Sequence, residues 1–132
     1  MKEILKNIGI SEKTIDSMIE ICPNIQQLNS EEIIEKINIL KHEKCNDTQI
    51  RDIIGSNPAY LDASETDVKK LIDKLRKLGF KNLNFLFDEN QYILNSSDFE
   101  IEEYINERVR NGELLENIVD DMNENAYLFD EI

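Results

Sequence analysis

Short apolar-faced stretches ending in a chain break return along this sequence at near-constant intervals, and that recurrence limits the fold more than any other feature. In the run Ile50 to Leu61, Ile50, Ile53 and Ile54 lead to Pro58 and then to Tyr60-Leu61. The same design stands 35 residues earlier as Ile15, Met18, Ile19, Pro23 and Ile25. It stands again 33 residues later as Leu83, Leu86, Phe87, Gln91 and Ile93-Leu94. A fourth copy closes on Ala126-Tyr127-Leu128, read against Ala59-Tyr60-Leu61. A period of about 34 residues is characteristic of helical arrays, in which no single helix pair can bury its apolar face alone.

Three- and four-residue apolar spacing between the breaks predicts helices throughout. Ser11 is placed to cap a helix over 12–22 with Ile15, Met18, Ile19 and Cys22 on one face, and Pro23 to stop it. Asn29-Ser30-Glu31-Glu32 opens a helix over about 31–42 with Ile33, Ile34, Ile37 and Leu40 inward. Asp47 is expected to cap the next helix, which breaks at Asn57-Pro58. Ser64 to Asp67 opens a helix over 65–78, with Val68, Leu71, Ile72, Leu75 and Leu78 inward and Gly79 closing it. Asn82 should cap a short helix. Ser97 to Glu100 starts another, with Phe99, Ile101, Tyr104, Ile105 and Val109 inward, and Gly112 ends it. The last helix, over about 113–123, turns Leu114, Leu115, Ile118, Val119 and Met122 inward. The expected fold is therefore all-α, a short α-solenoid of about four helix-turn-helix repeats forming a single domain over 1–132.

The formal charge of −13 is unevenly spread. Residues 1–81 hold 13 basic and 14 acidic side chains, whereas residues 82–132 hold Arg108 and Arg110 against 14 acids, a net of −12. The acidic part marks a surface for a basic protein partner, with Glu100, Glu102, Glu103, Glu107, Glu116, Asp120 and Asp121 as its candidate contacts. Solubility and a solvated polar face are the plainer reading of the same residues. The one concentration of cations is Lys69, Lys70, Lys74, Arg76, Lys77 and Lys81, of which Lys70, Lys74, Lys77 and Lys81 form a stripe at helical spacing. Such a stripe engages phosphates, or else pairs with acids of its own or the neighbouring repeat.

The repeats resemble those of the mitochondrial transcription termination factor (mTERF) family. The resemblance rests on the junctions Ile8-Gly9-Ile10-Ser11 and Leu78-Gly79-Phe80, on Pro23 and Pro58 with the turns Tyr60-Leu61 and Ile93-Leu94, and on Leu40 and Leu75 as helix ends. It spans most of residues 5–129. It implies a curved superhelix whose concave basic surface binds nucleic acid. This chain departs from that pattern in being acidic and short, and in lacking proline in its third and fourth copies.

No catalytic arrangement is visible: there is no glycine-rich phosphate loop, no GxSxG and no HExxH, and His42 has no partner in sequence. Cys22 and Cys45 lack a CxxC spacing, so no metal or other cofactor is expected. With no apolar run of membrane-spanning length and a charged start, a cytoplasmic setting is expected. The apolar end of Tyr127, Leu128, Phe129 and Ile132 is expected to pack back onto the preceding helices, giving a monomer in preference to a homodimer.

Overall fold

The computed structural model describes residues 1–132 and contains helices and turns with no β-strand. The helices are α1 (Lys2–Asn7), α2 (Glu12–Ile21), α3 (Ser30–His42), α4 (Asp47–Ser56), α5 (Ala59–Asp62), α6 (Glu65–Leu78), α7 (Leu83–Glu89), α8 (Asp98–Arg110) and α9 (Leu115–Glu124). Three 3₁₀ turns, Pro23–Gln27, Gln91–Asn95 and Ala126–Glu131, stand with α5 as the four turns of the repeat.

One backbone device closes α1, α3, α6 and α8. A left-handed residue follows each helix: Gly9 (φ 97°), Lys44 (69°), Gly79 (103°) and Gly112 (96°). The next amide reaches back five residues to a helix carbonyl, closing a six-residue turn: Ile10 to Leu5 (3.1 Å), Cys45 to Leu40 (3.0 Å), Phe80 to Leu75 (3.0 Å) and Glu113 to Arg108 (3.2 Å). This is the Schellman closure, which favours glycine because a Cβ crowds the left-handed backbone. In three copies the two residues joined by this closing bond are buried and apolar. The fourth replaces them with Arg108 and Glu113, whose side chains form a two-pronged ion pair at 2.8 and 2.6 Å.

The chain breaks share a second geometry. Cys22, Asn57, Asn90 and Asn125 have φ between −126° and −143° and ψ between 71° and 96°. Each donates its amide to the carbonyl four residues back, on Met18, Ile53, Leu86 and Asp121. Proline follows the break in only two of the four copies, so helix exit does not depend on it. The alignment also corrects the expected register of the fourth copy. Asn57 matches Asn125, so Tyr60-Leu61 corresponds to Leu128-Phe129. Tyr60 is fully buried while Tyr127 is 64% exposed.

The chain divides into two compact units, Met1–Glu65 and Thr66–Ile132. In the first, Leu5, Ile15, Met18, Ile25, Ile33, Leu40, Ile50, Ile53, Ile54, Tyr60 and Leu61 are buried. Lys36 is buried among them. Its ammonium donates to the Leu61 carbonyl at 3.2 Å and to that of Ala63, and Tyr60 Oη donates to the Lys36 carbonyl at 2.7 Å. The pair ties α3 to the following turn. In the second unit Leu71, Leu75, Phe80, Leu86, Phe87, Leu94, Ile101, Ile105, Met122 and Phe129 form the core, with the Phe80 and Phe129 rings 5.7 Å apart. Tyr104 occupies the position of Lys36 and likewise reaches the next turn, donating to Glu131 at 3.0 Å.

Several local expectations change. Asn46, not Asp47, caps α4, exchanging hydrogen bonds with Gln49 in a capping box. Asn82 precedes α7 in left-handed backbone (φ 53°) without a side-chain cap. Ile34, Phe99, Val109, Leu114 and Leu115 are exposed. On α3 the buried stripe runs through Ile33, Lys36, Ile37 and Leu40, which leaves Ile34 toward solvent, and Leu114 lies in extended backbone before α9 begins.

Candidate functional site

The basic stripe lies on α6 and its exit. The high amphipathy of this helix follows from Val68, Leu71, Ile72 and Leu75 being buried at helical spacing, which leaves the lysines toward solvent. Two of them already hold carboxylates. Lys77 pairs with Asp73 at 2.9 Å, and Lys74 with Glu102 of α8 at 3.3 Å. The Lys77 ammonium keeps the Asp73 carboxyl below its usual range, and Asp73 raises Lys77 in turn. Lys70 and Lys81 are exposed cations without an ion pair. Solvent and salt screen the Asp73–Lys77 pair, and Lys74 is half-buried beside Glu102, so a phosphate competes most readily for Lys77.

The seven candidate acids separate into two groups. Glu100 closes the capping box of α8 with Ser97, Glu102 holds Lys74, and Asp121 accepts from Arg108 at 3.1 Å and from Asn125 at 3.0 Å. These three act within the fold. Arg108 is the centre of a cluster with Glu113, Asp121 and, 5.9 Å below its guanidinium, the Tyr104 ring. Those contacts push the arginine up and hold the Glu113 carboxyl down. Glu103 and Glu107 on α8, and Glu116 and Asp120 on α9, remain exposed. Each couple is spaced four residues apart on its helix, where like charges cost the helix about 0.2–0.5 kcal/mol. None of the four forms an ion pair within the fold, although Glu116 stands in the first turn of α9, where a carboxylate suits the helix dipole.

A feature absent from the sequence-based expectations lies beside the third and fourth turns. A cleft of about 340 Å³ is lined by Glu89, Asn90, Tyr92, Glu124, Tyr127 and Asp130, among others. It shares Glu89 and Glu124 with a second cleft, of about 420 Å³, which Phe85 and Lys81 also line. Asn90 forms the floor: its Nδ2 donates to the Ala126 carbonyl (3.3 Å) and to Asp130 (2.8 Å), and its Oδ1 accepts from the Tyr92 amide (3.1 Å). The signal was present in sequence as Asn90-Gln91-Tyr92 and Asn125-Ala126-Tyr127, a repeat of the break with tyrosine two places on.

Fold and surfaces together define an all-α helical-repeat protein. A family model described as mTERF matches residues 2–87, from α1 into α7, and the chain belongs to the mTERF family. No curated protein and no solved structure matches it. No helix is long and apolar enough to cross a membrane.

Proposed function

We propose that this protein is a non-catalytic binding module that docks a basic protein partner on the acidic surface of its second unit. The observation that carries the reading is the set Glu103, Glu107, Glu116 and Asp120: four exposed carboxylates in two self-repelling couples, without a cation engaged on any of them. A basic partner relieves that repulsion, and its association is steered by the field of a chain with net charge −13. A cytoplasmic setting and a monomeric state belong to the same proposal.

Membership of the mTERF family favours a second reading, nucleic-acid binding through Lys69, Lys70, Lys74, Arg76, Lys77 and Lys81. Local screening, over about 8 Å at physiological salt, lets such a patch act beside distant acids. The pairing of Lys74 and Lys77 with Glu102 and Asp73 weakens it.

One set of titrations separates the two. A basic peptide and single- and double-stranded oligonucleotides are titrated against the protein at low and moderate salt, since both interactions weaken as salt rises. Protein docking predicts peptide binding that falls when Glu103, Glu107 and Glu116 become glutamine and Asp120 becomes asparagine. Nucleic-acid binding predicts oligonucleotide affinity abolished by Lys70→Glu, Lys74→Glu and Lys77→Glu. Peptide binding unchanged by the four neutral substitutions would overturn the first reading.

A further inference from the structure

The fold does not require aromatic side chains at positions 92 and 127. Both lie two residues after a chain break, where the other two copies carry Asn24 and Ala59. Tyr92 is 58% and Tyr127 64% exposed, and both line the cleft beside the third and fourth turns. Around them stand Glu89, Glu124 and Asp130. Asp130 is held in place by Asn90, whose own side chain is buried, so one of these carboxylates is positioned before any ligand arrives. No lysine or arginine lines this cleft.

We propose that the cleft is a receptor for an arginine side chain of a basic peptide, an inference that rests on the protein-docking reading and names the contact within it. Two exposed phenol rings offer faces to a cation, and three carboxylates supply the opposite charge. Arginine fits better than lysine. Its planar guanidinium stacks on an aromatic face while its edge donates to carboxylates, whereas an ammonium is a compact, strongly hydrated charge. Phosphates are repelled by the same three acids. Phe85, 63% exposed on the second cleft, offers an apolar contact to the residues flanking the arginine.

The test uses the full chain and two short peptides of equal charge, one built on arginine and one on lysine, titrated calorimetrically. The variant is Tyr92→Asn with Tyr127→Ala, which installs the residues found at these positions in the first two copies, and its thermal midpoint is measured alongside. The arginine peptide should bind the parent protein more tightly than the lysine peptide. In the variant its affinity should fall about tenfold, as loss of one or two cation–π contacts implies, and the preference for arginine should disappear at an unchanged midpoint. If both peptides bind and the variant retains the affinity and the preference, the cleft is not the receptor although protein docking stands. If neither peptide binds at low salt, the docking reading and the receptor fall together. Should the double variant unfold, Glu89→Gln with Glu124→Gln, two exposed carboxylates without structural partners, must produce the same selective loss.

Discussion

At the residue scale, the four closures show how one backbone geometry tolerates unequal side chains. Lys44 adopts a left-handed conformation that glycine fills at the three other junctions. Replacing Lys44 by glycine should raise stability by up to about 1 kcal/mol, read as a higher midpoint in urea, because relief of Cβ crowding outweighs the extra freedom of the unfolded chain. Gly9 is the opposite case. A Cβ there would lie 2.9 Å from Cδ of Arg51, whose guanidinium donates to the Ile8 carbonyl at 3.4 Å. Gly9→Ala should therefore destabilise through both strain and displacement of that arginine, again seen in the urea midpoint. Lys36 was legible only as one more charge on a helix. The carbonyls that accept its ammonium lie 25 and 27 residues away, and nothing local in the sequence joins them.

At the element scale, the tie between α3 and the following turn is sensitive to pH. Burial raises the Tyr60 phenol well above its ordinary value of 10.0. A group raised on folding contributes stability that is fully present below the unfolded pKa and is lost as pH climbs beyond it. Melting temperature should therefore decline above about pH 10, and Tyr60→Phe should flatten that decline while removing the bond to Lys36 at a neutral-pH cost of about 1 kcal/mol. Burial lowers Lys36, so its contribution rises as pH climbs toward 10.5, for the most part before the loss at the tyrosine sets in. The fourth junction gives a second prediction. Arg108 and Glu113 stand where other copies place Leu75 and Phe80, so Arg108→Leu alone strips Glu113 and Asp121 of their cation. Loss of stability on that change, measured by thermal melting, should be partly restored by adding Glu113→Phe, which recreates the apolar pair.

At the scale of the whole molecule, charge and packing divide the chain at different places. The acidic part begins after residue 81, whereas the second compact unit begins at Thr66 and includes the lysines of α6. That inclusion pairs Lys74 with Glu102 inside one unit, partly neutralising the stripe. A net charge of −13 remains, and its self-repulsion is screened by salt. Raising sodium chloride from about 20 to about 200 mM should therefore increase the melting temperature at neutral pH. A decrease would mean that ion pairs such as the Arg108 cluster outweigh the repulsion.

The all-helical repeat was written in the sequence because its causes are local and periodic: apolar residues at helical spacing, glycine where the backbone turns left-handed, and breaks returning at a fixed interval. Ile15, Met18, Ile50, Ile54, Leu86 and Phe87 declared the core in this way. The fate of the charged and aromatic residues was decided only by tertiary structure. Glu102 and Asp121 differ from Glu103 and Asp120 by one position, yet a cation from another helix engages the first two and not the others. Tyr60 and Tyr127 look alike beside their breaks, but a one-residue difference in register buries one and exposes the other. Periodicity specifies which face a residue occupies; what meets that face depends on residues far away in the chain, brought there by packing.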